Sequence, residues 1–282
     1  MRLEAVGKRY GVREPWVVRD VSADVSPGTL IRLEGRNGSG KSTLLRVAAG
    51  VSLPSKGKVT GRPHTGYVPE RFPGALPFTG RDYLLHLARV HGLRGATAAS
   101  RVEGWLERLG AAGYADRPLR GLSKGMCQKI AITHALLPDP GLLVLDEAWT
   151  GLDQAARGAL DAAALERVAD GGTVMFVDHE QTRLQGKISQ RWRFDGDGRV
   201  TMTPLDAAEA GENPDARETV IIELDGLEPG AAARLAEIPG VLSARGAIVS
   251  VAAARSDDVL RQVLAWDGVH VVSVRAGQET GR

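Results

Sequence analysis

Nine residues constrain this chain more than any others: Gly35-Arg-Asn-Gly-Ser-Gly-Lys-Ser-Thr43. The apolar run Leu30–Leu33 comes just before them, and a helical pattern opens near Ser42. A strand, a glycine-rich turn and a helix in that order admit few folds. The glycines let successive backbone N–H groups converge on one point, and a helix N-terminus adds the positive end of its dipole. Such a turn fits phosphate oxygens. In the spacing G-x-x-x-x-G-K-[ST], Lys41 reaches the β- and γ-phosphates and the Ser42 hydroxyl takes Mg²⁺.

A second apolar strand, Leu142–Leu145, delivers two acids at its end, Asp146 and Glu147. In phosphate-loop NTPases an aspartate here holds the Mg²⁺ shell, the role expected of Asp146. Glu147 is placed to orient and deprotonate the attacking water. A pair of acids opening a helix is also an ordinary cap, so the pair gains meaning from the strand before it and from Lys41 upstream. Thr173–Val177 reads as a third buried strand. Strands alternating with helical patterns argue for an α/β fold with a mostly parallel sheet, its chemistry at the strands' C-terminal ends. Between the first two strands, Tyr83, Leu84, Leu87, Val90, Val102, Leu106 and Leu109 recur at helical spacing, which predicts a helical insertion over Gly80–Gly110.

The chain of 282 residues has room for one large and one small domain. Pro204–Arg217, rich in Ala, Glu, Asp, Pro and Gly, reads as a linker. Beyond it, strands at Val220–Leu224, Val241–Ser243, Ala247–Val251 and His270–Arg275 are expected, with helices at Gly230–Ile238 and Ser256–Trp266. That order, β-α-β-β-α-β, is ferredoxin-like. The formal net charge of +2 divides unevenly: residues 205–282 carry 13 acidic and 7 basic side chains, leaving the N-terminal part at +8 and the tail at −6. A single cysteine, Cys127, excludes an internal disulfide and fits a reducing compartment, and it reads as a small buried hydrophobe. No stretch approaches the ~18 apolar residues that cross a bilayer, so any membrane role requires a partner to supply the span.

Together these motifs resemble an ATP-binding-cassette ATPase, and the resemblance covers about residues 1–203. Leu122-Ser-Lys-Gly-Met126 is similar to the family signature, usually Leu-Ser-Gly-Gly-Gln. Ala148-Trp-Thr-Gly-Leu-Asp153 resembles the loop that carries signals between cassettes. His179 resembles the switch histidine at the γ-phosphate, and Tyr10 the aromatic that stacks on adenine. Gly66-Tyr-Val-Pro-Glu70 resembles the loop joining core to insertion, with Glu70 where the family usually has Gln. Lys124 and Met126 depart from the signature, while Ser123 and Gly125 are retained. Tyr10 and His179 each leave open an ordinary packing role, and Trp149 reads as core.

The resemblance implies a cassette with a mixed-sheet core over residues 1–204, a helical insertion at about 71–130, a linker at 205–217 and a small α+β domain at 218–282. It implies binding of ATP and Mg²⁺. Tyr10, Gly35, Arg36, Asn37, Gly38, Ser39, Gly40, Lys41, Ser42 and Thr43 would hold the nucleotide, with Ser123, Gly125 and Asp153 contributing across a homodimer. Ser42, Glu70 and Asp146 would serve the metal, and Glu147 and His179 hydrolysis. The implied protein is the ATPase subunit of a transporter, export-type by its signature, working at the inner face of the cell membrane on a permease in a separate chain. The alternative is a soluble cassette ATPase acting on nucleic acid or ribosomes. Against it stand a single cassette, only 81 positions between Lys41 and Leu122, and no basic patch interleaved with aromatics. The tail either regulates, by self-association or by tuning turnover, or simply packs.

Overall fold

The computed structural model describes residues 1–74, 76–205, 219–227, 231–236, 238, 240–252, 256–264, 266 and 268–277. It falls into two compact units, Met1–Ala210 and Gly211–Arg282. The expected linker lies, from residue 206 on, outside the described residues.

In the first unit the elements run β1 (Arg2–Lys8), β2 (Val18–Asp24), β3 (Leu30–Glu34), α1 (Lys41–Ala49), β4 (Lys56–Thr60) and β5 (Thr65–Val68). Then come α2 (Gly80–Val90), α3 (Gly95–Arg108), α4 (Lys124–Leu136), β6 (Leu142–Asp146), α5 (Gln154–Ala169), β7 (Thr173–Val177), β8 (Gln190–Phe194) and β9 (Val200–Pro204). A six-stranded sheet, ordered β5-β6-β7-β3-β8-β9, is parallel except for its antiparallel last strand. Every residue of β6 and of β7 is buried, as continuous apolar strands covered on both faces must be. A separate antiparallel sheet, β2-β1-β4, lies over one side of the core.

Two apolar layers fix the sheet. On one face Ile31, Leu33, Val144, Met175 and Trp192 pack with Leu44 and Leu45 of α1 and with Leu3, Val6 and Val21 of the antiparallel lobe. On the other, Leu143, Leu145, Val174 and Phe176 meet Leu160, Ala163 and Ala164 of α5. Because β6, β7 and β3 are neighbours running the same way, their C-terminal ends open side by side. The residues that follow those three strands are Gly35, Glu147 and Asp178.

The insertion expected over Gly80–Gly110 consists of α2 and α3, which turn at Gly92 (φ 85°) and share a core of Leu84, Ala88, Val102 and Leu106 with Ile130 of α4. Thr79 caps α2, its hydroxyl accepting from Asp82 N. The antiparallel lobe, β5 and the β8–β9 edge are additions to the three strands read from sequence.

The second unit contains β10 (Thr219–Asp225), α6 (Ala231–Ala236), β11 (Val241–Arg245), β12 (Ile248–Ala252), α7 (Ser256–Leu264) and β13 (His270–Gly277). Its antiparallel sheet is ordered β11-β12-β10-β13, the ferredoxin-like arrangement. Ile222, Leu224, Val249 and Val251 pack against Leu235, Val259 and Val263, so this unit owns a core. Trp266, expected within the last helix, lies in a bend beyond α7.

Candidate nucleotide site

The phosphate loop leaves β3 at Glu34 and enters α1 at Lys41. Gly40 takes φ 108°, and a Cβ there would sit 2.5 Å from the Val17 carbonyl, so the turn accepts no side chain at that point. Asn37 and Gly38 form the exposed tip. The Lys41 ammonium folds over the loop, donating to the carbonyls of Gly35 at 2.7 Å and Arg36 at 3.0 Å. Burial lowers its pKa, while the carboxylates of Glu147 and Asp146 act in the opposite sense. The Ser39 hydroxyl is buried without a hydrogen-bond partner, an orphan that a phosphate oxygen would satisfy.

At the end of β6 the Asp146 carboxylate is fully buried. Ser42 Oγ donates to Oδ1 at 2.7 Å, and the Tyr67 hydroxyl from β5 donates to Oδ2 at 3.2 Å. Burial pushes the Asp146 pKa up, and the two hydroxyls pull it back by bonding the charged form. Tyr67 is itself pushed up to about 12, chiefly by burial, which keeps its hydroxyl a donor. A hydroxyl and a carboxylate side by side make a hard-oxygen donor set, which fits Mg²⁺ held largely through substrate phosphates. The described residues contain no cluster of three or more His, Cys, Asp or Glu side chains able to hold a metal alone.

Glu147 follows directly with φ 54°, left-handed for a residue with a side chain. Its N–H donates to the Val177 carbonyl at 3.0 Å, tying it to the end of β7. The bend turns its carboxylate to His179, whose Nε2 lies 2.9 Å from Oε2. Tyr10 is 62% exposed, with its hydroxyl 3.1 Å from Thr43 Oγ1 and the Lys8 ammonium 5.5 Å from its ring centroid. The ring lies beside the phosphate loop with Lys8 over it. Glu70 is partly exposed after β5 and lies 3.6 Å from Arg71.

A second group gathers at the start of α4. Ser123 is its N-cap, accepting from Met126 N. Gly125 abuts the loop before α5: a Cβ there would come within 2.2 Å of the Gly151 carbonyl. Asp153 caps α5 through Ala156 N and pairs with Lys129 Nζ at 2.6 Å. Those bonds occupy the Asp153 carboxylate within its own chain. Trp149 is buried against Phe176, and Cys127 is buried in the same helix as the signature residues.

Within one chain the sequence-derived residues thus divide into two sets. Lys41, Ser42, Asp146, Glu147 and His179 converge, with Tyr10 and Thr43 beside them, while Ser123, Gly125 and Asp153 form their own cluster. Sequence reasoning missed Tyr67 as a ligand-holding residue. The signal was present, since an aromatic with a polar tip alternates with buried Gly66 and Val68 in β5.

The family profile described as ABC transporter matches residues 18–150, spanning the phosphate loop, the signature and Asp146-Glu147. The zinc import ATP-binding protein ZnuC of Cereibacter sphaeroides is 39% identical over 169 residues, 58% of this chain and 67% of that one. This chain belongs to the ABC transporter ATP-binding family. The ABC transporter ATP-binding protein NatA of Bacillus subtilis is 30% identical over 60% of this chain and 74% of its own. Nod factor export ATP-binding protein I of Ralstonia nicotianae is 35% identical over 64% of this chain and 59% of its own. A solved ATP-binding subunit of an ABC transporter superposes with TM-score 0.65 at 26% identity, over 74% of this chain and 91% of that one. A dimeric ATP-binding cassette bound to ADP and Pi, 22% identical, shares the fold with TM-score 0.62. The cassette is an ATP-binding ATPase of this family.

Proposed function

We propose that two copies of this cassette close face to face on ATP and reopen after hydrolysis, and that this alternation drives a permease in a separate chain. The observation that carries the reading is the convergence of Lys41, Ser42–Asp146 and Glu147–His179 at three adjacent strand ends. In this scheme the amides of Gly35 to Gly40, with Arg36, Asn37 and Ser39 between, cradle the phosphates beside Lys41 and Thr43. Tyr10 stacks on the adenine. Bound Mg²⁺ would neutralise developing phosphate charge, held by Ser42 and the Asp146 carboxylate, with Glu70 at its edge. Glu147 takes the proton of the attacking water, and His179 holds the Glu147 carboxylate and faces the γ-phosphate.

The second cluster supplies the reason for two copies. Ser123, Gly125 and the N-terminus of α4 form a phosphate-directed surface that lies apart from the cassette's own loop, suited to cover the γ-phosphate of a partner. Asp153, anchored to Lys129, reports closure between cassettes. ATP shifts the open–closed equilibrium only because the closed pair binds it more tightly. No helix among the described residues is long and apolar enough to cross a membrane. The proposed location is therefore the inner face of the cell membrane, through the permease. Relatives named for import and for export resemble this chain at 39% and 35% identity, so direction and cargo are assigned to the permease.

The deciding experiment is Glu147→Gln. Hydrolysis should fall by about 10²–10⁴-fold while ATP binding persists. Size-exclusion chromatography with ATP should then yield a trapped dimer. Normal turnover by this variant would remove Glu147 as the base, and a monomer with bound ATP would remove the closure scheme.

A further inference from the structure

Arg32 sits in the middle of β3, three residues before the phosphate loop, and is 4% exposed. It lies opposite Phe176 in the parallel register with β7, on the apolar face that packs against α5, and its guanidinium stands 5.8 Å from the Phe176 ring. A buried cation in such a layer is costly unless its donors are engaged. Its two terminal nitrogens converge on one segment, while Nε makes no hydrogen bond and lies 3.6 Å from the Glu34 carboxylate. Nη2 donates to the carbonyls of Glu180 at 3.0 Å and Asp178 at 3.4 Å, and Nη1 donates to the Gln181 carbonyl. Residues 178–181 form neither helix nor strand, so these carbonyls have no ladder to join. At the centre of the segment is His179.

The imidazole is 60% exposed, with the Glu147 carboxylate 2.9 Å from its Nε2. Its place is therefore set mainly by its backbone. A second arginine grips the same segment from the other side. Arg183 pairs with Asp178 at 3.3 Å, with Glu180, and with Asp161 of α5 at 2.9 Å. Asp161 in turn accepts from Trp149 Nε1 at 2.9 Å, and Arg183 lies 5.5 Å from the Trp149 ring. The segment is clamped between β3 and α5.

We infer that Arg32 is a positioning residue for hydrolysis: its fork fixes the 178–181 backbone and thereby holds His179 on Glu147. The fork links the strand that carries the phosphate loop to the loop that carries the histidine. Lysine cannot reproduce it, because a single ammonium does not present a planar set of donors to three carbonyls. The inference rests on the role proposed above for His179, and its test separates the two.

Arg32→Lys should lower kcat by about 10²-fold, the usual size of a ~1 Å misplacement, with the KM for ATP unchanged within about threefold. In a His179→Ala background, single-turnover hydrolysis should lose less than about twofold on adding Arg32→Lys, since the group being positioned is gone. Equal losses in both backgrounds would mean a general packing role and overturn the inference. Full turnover by Arg32→Lys beside an inactive His179→Ala would overturn it while leaving His179 in place. Full turnover by His179→Ala would remove both. Should Arg32→Lys fail to fold, Arg183→Gln cuts the second anchor and carries the same expectation in the same two backgrounds.

Discussion

Asp146 illustrates how much of this site rests on single hydrogen bonds. Its carboxylate is fully buried, yet both oxygens are engaged, by Ser42 and by Tyr67. Tyr67 also lies 3.4 Å from Arg46 Nε, which connects the carboxylate to α1. Tyr67→Phe would leave the packing intact and remove one donor from the charged form. The expected result is a rise of about tenfold in the Mg²⁺ concentration needed for half-maximal ATPase activity, in line with losses of outer ligand-holding groups. A Mg²⁺ titration of turnover checks this, and an unchanged midpoint would show that Ser42 alone orients the acid. The Asp146 position was legible in sequence, since four apolar residues before two acids mark a buried strand end. Arg32 was not, and Tyr67 showed only as an aromatic in an alternating strand, because each acts through a partner more than 70 residues away in the chain, and sequence carries no distance of that kind.

Among the elements, α4 is held at its start by two different constraints. Ser123 caps it through Met126 N, and Gly125 allows the Gly151 backbone to approach more closely than any Cβ permits. The cap and the proposed contact with a partner's phosphate use the same side chain, so they need separating. Ser123→Asp keeps a good N-cap but brings a negative charge towards the phosphate. It should leave the melting temperature within a few degrees of the parent and abolish ATP-driven dimerisation, measured by size exclusion in the Glu147→Gln background. A Ser123→Asp protein that still dimerises would place the serine's value in the cap alone. The periodicity of α2 and α3 was readable because one apolar stripe faces one core. The β2-β1-β4 lobe gave no comparable pattern. Its register shifts between Leu3 and Val6 and again before Lys8, and those bulges interrupt the two-residue alternation.

At the scale of the whole molecule, each unit has apolar clusters of its own. Among the described residues, the three clusters of the first unit draw on residues up to Leu205, and the fourth on residues from Val220 onward. A chain ending at Leu205 should therefore fold, with a melting temperature within a few degrees of the parent transition and measurable ATPase activity. Loss of the folded state in circular dichroism would show that the cassette depends on the −6 tail. With folding preserved, any change in turnover or in ATP-driven dimerisation belongs to the tail, and that comparison decides between a regulatory and a packing role.

The sequence alone determined the phosphate loop, the acidic strand end, the three central strands with the helices between them and the ferredoxin-like tail. Each of these is written in residues close together in the chain, where glycine spacing, apolar runs and caps act locally. Tertiary structure alone decided which strand ends lie side by side, that His179 reaches Glu147, and that Arg32 reaches the histidine's loop. Those contacts depend on strand order in the sheet, β3-β7-β6, which inserts the last of the three strands in sequence between the two earlier ones. Local propensity sets each strand, but burial of both sheet faces, summed over the whole domain, selects the order in which the strands assemble.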